Sequence, residues 1–424
     1  MLALARMLVL CVPLVSAAAA AQPSVDAPAA QGAASVDAGA GAGGIAPGAA
    51  AAPALATVRF EPGGGLRIDS GDGAFGLRLG ARLQLRYSVR AQDHAGDVDV
   101  EQALGVRRAR LTVAGHAFGE TASFKIQLNL VGAPLLHDGY LDFAPLRALH
   151  VRAGYFKVPS NREWLTSSAD LALVDRSLFS AELSLGRAVG VDVYSPDVLG
   201  HERLRYHAAV FVVRDGPSAD FGDFRMLYGA RLAVRALGAP TLGLEVDFDR
   251  GAPALDLAAG YAFMDGARRD RGVLGAALAD GGTARYHFAY VDALFEARGL
   301  SALGQVGLRY GTRHVGPLAG TPGPDGAPVG VDVPRNGVAA MVQASYLLSA
   351  VPVGITSRYT RLAPLERPSR PSAVRATHEV GVGLSYYFAG DAFKLQADYE
   401  RRWFSGGGAT EADQVARVQV QLTL

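Results

Sequence analysis

Polar and apolar residues alternate with a period of two along much of this chain, most cleanly from Glu379 to Trp403. Val380, Val382, Leu384, Tyr386 and Phe388 share one face, and Glu379, Gly381, Gly383, Ser385 and Tyr387 share the other. After Ala389-Gly390-Asp391 the pattern resumes, with Phe393, Leu395, Ala397 and Tyr399 set against Lys394, Gln396, Asp398 and Glu400. Two such runs of about ten residues around a tight turn predict an antiparallel hairpin. Soluble sandwich strands average about 5–6 residues. Longer strands with one apolar face, full charges on the other and aromatic ends point to a membrane β-barrel with a wet lumen.

The same pattern recurs upstream. From Leu77 to Val89, the residues Leu77, Leu79, Ala81, Leu83, Leu85 and Tyr87 oppose Arg78, Arg82, Gln84 and Arg86. From Arg108 to Phe118, Arg108, Arg110, Thr112 and His116 oppose Ala109, Leu111, Val113 and Ala117. Gly119-Glu120 then turns the chain, and Lys125, Gln127 and Asn129 alternate with Phe124, Ile126, Leu128 and Leu130. Shorter strands follow at His137–Phe143 and Leu149–Lys157. The next segment, Val158 to Gly186, is a long loop with apolar Trp164, Leu165, Leu171, Leu173 and Phe179. A loop of that kind packs rather than waves in solvent, and in a barrel the place to pack is the lumen.

Further strands run to Leu424, separated alternately by long polar loops (Asp265–Gly282, His314–Arg335, Leu362–Arg375) and short turns such as Ala297–Gly299 and Ser349–Val351. Leu242–Asp249 also alternates. A span there would break the sidedness, so Thr241–Ala254 is read as a non-spanning connection. About sixteen antiparallel strands remain, an even number with both ends on one side. On this register a cation in place of Leu83 or Leu395 meets hydrocarbon, whereas Gln84 and Gln396 tolerate one.

Composition narrows the picture. No apolar run beyond residue 20 approaches the ~20 residues that a membrane helix needs. Arg6, the apolar Met7–Val15 and the small residues Ser16–Ala21 read as a secretory signal over residues 1–21. Residues 22–56 form an Ala/Gly/Pro-rich stretch too poor in apolar side chains to fold, a disordered spacer ahead of a barrel at 57–424. Cys11, the single cysteine, lies inside the signal. Lys+Arg number 41 and Asp+Glu 40, so bulk charge gives no reason to expect a nucleic acid partner. The basic residues are nearly all arginine; the lysines are Lys125, Lys157 and Lys394. There is no GxSxG, no Walker A and no Cys/His set, and His116, His137, His150, His207, His287 and His378 lack metal-ligand spacing. No cofactor, metal or enzymatic chemistry is expected.

By alternation the lumen-facing cations are Arg78, Arg82, Arg86, Arg108, Arg110, Lys125, Arg152, Arg231, Arg235, Arg358, Lys394 and Arg417. Asp192, Asp292, Glu296, Glu379, Asp398 and Glu400 face inward with them. Arg176 and Arg187, at the inward loop, are candidates for a constriction. Arginine or lysine in a low-dielectric pore favours anions. The first three strands carry their cations with no inward acid, which gives the lumen one basic wall. Cross-lumen pairing that only braces the wall is an equal reading for any single arginine.

Several stretches resemble the porin O/P family of phosphate-selective outer-membrane porins. They are RRARLTVAGHAFGETASFKIQLNL at Arg107–Leu130, LHDGYLDF at Leu136–Phe143, VRAGYFKVPSNREWLTSSADLALVDRSL at Val151–Leu178, GRAVGV at Gly186–Val191, MVQASYLL at Met341–Leu348 and the hairpin above. The resemblance implies a sixteen-stranded outer-membrane barrel, a third loop folded into the lumen, preference for small anionic solutes and a homotrimer among outer-membrane lipids. The family's usual C-terminal aromatic, read by the barrel-assembly machinery, is Leu424 here; Ser160 replaces an aromatic, and Asp175 replaces a glutamate. Lysine scarcity favours general anion preference over phosphate specificity. A plugged structural barrel and an outer-membrane enzyme are the competing readings. The expected result is a far-UV circular dichroism spectrum dominated by β-structure and a heat-modifiable band on gels; a helical spectrum contradicts the assignment.

Overall fold

A computed structural model describes residues 56–94, 97–198, 200, 203–214, 216, 225–366, 372–405 and 411–424. The signal read at 1–21 and all but the end of the spacer lie outside the described residues. The chain enters through a hairpin, β1 (Thr57–Glu61) and β2 (Gly65–Asp69). The wall begins with β3 (Gly76–His94), β4 (Asp97–Ala117), β5 (Ala122–Asn129), β6 (Leu136–Leu146) and β7 (Leu149–Lys157). It continues with β8 (Arg187–Val198), β9 (Leu204–Val212), β10 (Met226–Leu237) and β11 (Ala254–Ala267). A small pair, β12 (Arg269–Arg271) and β13 (Leu274–Ala277), sits in the following loop. The wall is completed by β14 (Thr283–Ala297), β15 (Leu300–His314), β16 (Gly337–Leu347), β17 (Val353–Pro364), β18 (Thr377–Ala389), β19 (Phe393–Phe404) and β20 (Glu411–Thr423).

Every neighbour is antiparallel, and β20 returns to β3 from Glu411↔His94 to Thr423↔Arg82. The wall is therefore a closed barrel of sixteen strands, and the hairpin β1–β2 extends its 18-stranded sheet beyond the wall. β2 takes Gly76–Leu79 of β3 below the stretch that β20 occupies. Closure leaves no sheet edge in the apolar band, where an unpaired N–H or C=O would cost several kcal/mol.

Burial follows the alternation. Val291, Val306, Val342 and Leu384 are exposed on the outer face, and Gln305, Gln343, Ser345 and Asp292 are buried inside. Tyr386, Phe388 and Phe393 stack near the short-turn end, with Phe388 and Phe393 centroids 4.5 Å apart. Tyr228, Tyr261, Phe263, Tyr359 and Trp403 mark the long-loop end. Such girdles bound the apolar band of outer-membrane barrels.

The first two wall strands are longer than the sequence pattern indicates, because Arg107 is an extra residue in β4. Arg108 faces Gln84 while Val106 faces Leu85, so the in–out phase slips at that bulge. Residues 57–69 form the added hairpin rather than part of the wall. Between β10 and β11 the segment around Leu242–Asp249 does not span. It tucks into the lumen, where Val246 and Phe248 pack with Ala172, Leu347 and Tyr387.

Gln84 and Gln396 correct the expectation of tolerant inward positions. Gln84 is fully buried and donates to the Ser168 carbonyl at 3.2 Å. Gln396 donates to the Leu171 and Ala172 carbonyls at 3.1 Å each. A larger side chain at either site displaces the inner loop. The register is tested instead with Leu83→Arg, which places a cation in hydrocarbon at ~2–4 kcal/mol near the midplane. This substitution should lower the folded, heat-modifiable fraction, whereas Arg78→Glu, at an exposed lumen-side position, should leave it unchanged.

Candidate functional site

The segment between β7 and β8 folds back across the lumen. Its neck is closed by Val158 N–H donating to the Gly186 carbonyl at 3.0 Å. It carries two short helices, α1 (Arg162–Leu165) and α2 (Leu178–Leu183). Each is N-capped by a side chain that suits the role: Asn161 Oδ1 accepts from Trp164 N at 2.9 Å, and Ser177 Oγ accepts from Ser180 N at 3.4 Å. Glycines on the inner wall make room for the loop. A Cβ on Gly383 would sit 2.6 Å from Leu173, and one on Gly307 would sit 2.8 Å from Phe179.

The wall holds this loop with charge. Arg162 bonds Asp292 at 2.8 Å and also Asp256, and Arg231 bonds Asp292 at 2.6 Å and the Ser160 carbonyl at 2.7 Å. Glu379 accepts from Leu178 N at 2.9 Å, and Asp398 accepts from Val174 N at 3.0 Å. Arg358, fully enclosed, reaches Glu400 at 3.0 Å, Glu379 at 3.2 Å and the Asp175 carbonyl at 2.9 Å. Asp175 bonds Arg86 at 2.6 Å and Arg417 at 3.4 Å. Glu182 pairs with Arg309 and with Arg335, the latter at 2.8 Å. Beneath α2 an apolar cluster including Phe179, Leu183, Leu185, Phe211, Met264 and Phe288 fills the wall side. Asp256, Asp292, Glu379 and Asp398, on β11, β14, β18 and β19, thus fasten the loop.

The opposite side stays open. A cavity of about 600 Å³ lies between the loop and β3–β9, lined by Arg82, Arg107, Arg108, Arg110, Lys125, Arg152, Lys157, Arg176 and Arg187, with Trp164, Tyr140 and Asp138. Arg82 donates to Ser168 and Ser167 hydroxyls at 3.3 Å, and Arg110 shares the Ser168 hydroxyl at 3.3 Å. The buried Nε of both arginines meets no hydrogen-bond partner. Lys157 Nζ donates to the carbonyls of Trp164, Leu165 and Thr166 at 2.7–3.0 Å. Arg176 donates to the Glu163 and Thr166 carbonyls. Among the described residues none of Arg82, Arg107, Arg110, Lys157 and Arg176 forms a salt bridge. The Trp164 ring lies 5.2 Å from Arg176, 5.5 Å from Lys157 and 5.7 Å from Arg187, within cation–π reach. The acids on this side are few: Asp138 takes Arg187 at 2.9 Å and Lys125 at 3.7 Å, Asp142 takes Arg152 at 2.8 Å, and Asp192 faces His207 at 2.8 Å.

Seven of the fourteen cations singled out from the sequence line the cavity: Arg82, Arg108, Arg110, Lys125, Arg152, Arg176 and Arg187. The others do not. Arg86 is buried against Asp175 and Gln419. Lys394 is fully buried, donating to the Leu171 carbonyl at 2.9 Å and to Asp391 at 2.6 Å. Both are anchors of the loop, not pore groups. Arg78 is exposed and lies outside the cavity lining. Arg231, Arg358 and Arg417 are likewise engaged by carboxylates. Sequence reasoning missed Arg107, which the bulge turns inward, and Lys157, at a strand end. It also missed Asp138 and Asp142, although the run Asp138-Gly139-Tyr140-Leu141-Asp142 alternates visibly.

Residues 78–250 match the profile of the phosphate-selective porin O and P family. Over that segment the chain is similar to the porin O and P family. No curated protein matches it by sequence. Among solved structures the porin is similar to the anion-selective porin from Comamonas acidovorans, with 14% identity, a TM-score of 0.55, and 82% of this chain and 100% of that one covered. It is also similar to the outer membrane channel DcaP of Acinetobacter baumannii, with 12% identity, a TM-score of 0.51, and coverage of 84% and 99%. Pseudomonas putida OprB gives 11% identity, a TM-score of 0.51, and coverage of 83% and 95%. At these identities the likeness is one of fold. The chain is an outer-membrane β-barrel with long loops at one end and short turns at the other.

Two carboxylates packed at the inner loop differ in how they respond to protons. Burial pushes the Asp175 carboxyl up, but Arg86, Arg417 and Arg108 together outweigh it and hold it below the usual range. Glu245, on the periplasmic connection, is pushed up from 4.5 to about 7 by burial and by Glu163, with Arg358 opposing. Its Oε2 accepts from Ala172 N at 3.0 Å and Gln343 at 2.8 Å, while Oε1 has no partner. Folding therefore favours protonated Glu245, and its contribution to stability falls as pH rises from about 4.5 to about 7. Thermal unfolding of the porin in detergent should shift downward between pH 5 and pH 8. Glu245→Gln should flatten that slope while leaving the acid limb below about pH 4, which Asp175 supplies.

Proposed function

We propose that this porin is a passive diffusion channel whose anion preference comes from the basic side of its lumen. The observation that carries the reading is the partition of charge. Asp256, Asp292, Glu379 and Asp398 are engaged by the folded-in loop, and Glu400 by the wall arginines Arg358, Arg402 and Arg417. The open cavity is lined by Arg82, Arg107, Arg110, Lys157 and Arg176, free of carboxylate partners among the described residues, with Arg108, Lys125 and Arg187 beside them. Low-dielectric walls strengthen the field of such a cluster, and the donors replace part of an anion's hydration shell. The Comamonas structure of the same fold is described as an anion-selective porin.

The solutes are small anions. Guanidinium forks match phosphate and carboxylate geometry alike, so either fits. Ser167 and Ser168 hydroxyls beside Arg82 and Arg110 add neutral donors and acceptors that let an anion be held and released. A homotrimer is the assembly that the family resemblance supports. No chemical step is part of this reading.

Single-channel reversal potential in a KCl gradient tests it. Wild-type protein should favour chloride, and Arg82→Gln/Arg110→Gln should lower the chloride-to-potassium permeability ratio on the order of threefold or more. Arg90→Gln, at a residue paired with Asp413 at 2.8 Å, should shift it less. Cation preference in the wild type removes the reading, and zero conductance favours a plugged barrel.

A further inference from the structure

The outer face is apolar along the spans, yet two unpaired cations project from it. On β14–β19 the residues that alternate outward include three arginines: Arg285, Arg361 and Arg401. Arg285 bonds Asp265 at 3.0 Å. Arg361 and Arg401 are exposed, and among the described residues neither meets a carboxylate. They frame one surface. Arg361 pairs across with His378 in the β17–β18 ladder. His378 pairs with Trp403, and Val380 with Arg401, in the β18–β19 ladder.

The surface between them is flat and fixed. The His378 and Trp403 rings stack with centroids 5.2 Å apart at an interplanar angle of 7°. Tyr359 Oη sits 2.8 Å from His378 Nδ1, and Ser405 Oγ lies 2.7 Å from Nε2. Both ring nitrogens are thus engaged and the ring cannot turn. Arg401 extends along Trp403, its guanidinium carbon 5.9 Å from the ring centroid. The arginines stand two strand spacings and two residues of register apart, about 12 Å.

Their height identifies what faces them. Arg361 and Arg401 each lie about eight residues above the periplasmic starts of their strands, Val353 and Phe393. Eight residues are about 27 Å of strand, or about 20 Å of height at a tilt of ~40°. An apolar band is ~25 Å tall, so both guanidinia reach its external boundary, at the level of lipid headgroups. A cation at that boundary is nearly free of cost if an anion meets it. A guanidinium fork matches a phosphate, and a flat aromatic stack suits the face of a sugar ring.

We propose that the outer face of β17–β19 at the external rim binds a phosphorylated saccharolipid of the outer leaflet. Arg361, beside His378, and Arg401, two residues before Trp403 on β19, hold its phosphates next to the His378–Trp403 stack. The site is separate from the lumen and is independent of which solute the channel passes.

The test is native mass spectrometry of the full-length porin in detergent, titrated with bisphosphorylated lipid A and with the same lipid after removal of its phosphates. Wild-type protein should retain the bisphosphorylated form about tenfold more strongly. Arg361→Gln/Arg401→Gln should abolish the difference, Arg361→Lys/Arg401→Lys should keep part of it, and Arg285→Gln should leave it intact. Single-channel conductance should not change in any of them. Removing charge from a lipid-facing wall favours insertion, and the heat-modifiable band verifies assembly; the two single Gln variants, each expected to weaken retention, repeat the test independently. Equal retention of both lipids by wild type, or undiminished retention by the Gln variants, overturns the proposal. So does displacement by millimolar inorganic phosphate, which would indicate a site for the free ion. A change in oligomeric state with lipid retention intact would make the patch a contact between copies, and also overturns it.

Discussion

Hydrocarbon cannot hydrogen-bond a peptide group, and that one deficiency dictates this molecule. Every N–H and C=O at membrane depth must be satisfied by another strand. An open sheet fails this test at both edges. The wall therefore closes, β20 on β3, and closure sorts the alternating side chains into a lipid face and a lumen face. The lumen face is the side where full charges stay solvated or paired, which is why charges of the spans such as Asp292, Arg358 and Arg417 collect there.

What those charges do depends on partners, not on facing. The inner loop brings Arg162 to Asp292 and backbone N–H groups to Glu379 and Asp398, while the wall arginines Arg358 and Arg417 take Glu400. On the other side the loop presents mainly carbonyls and hydroxyls, at Trp164, Thr166, Ser167 and Ser168. These accept from cations without cancelling them. A chain with near-zero net charge thus acquires a polarised interior. The periplasmic connection completes the filling from below through Glu245, Val246 and Phe248.

Strand positions were legible because a period of two over long runs has few alternative explanations. The hairpin from Glu379 to Trp403 is β18–β19, and the Thr241–Ala254 segment does not span. The phase slip at Arg107 was not legible, since a bulge adds a residue without changing local composition. Nor did alternation separate Arg82 from Arg86. Both face inward four residues apart, yet one lines the cavity and the other is held by Asp175, a residue distant in sequence. Facing is a local property; pairing is set by how the loop folds. The loop's helices did leave local marks, Asn161 and Ser177, each a side-chain acceptor three residues before the N–H that it satisfies.

The seam between first and last wall strands joins residues more than 300 positions apart, as in the Arg86–Gln419 bond. Contacts that distant form late, because the ends of a long chain must find each other before any reward accrues. Asp175 bonds Arg86 on β3 and Arg417 on β20 at once. The inner loop therefore grips both sides of the seam through a single carboxylate. The same loop that narrows the lumen also clamps the place where the barrel closes.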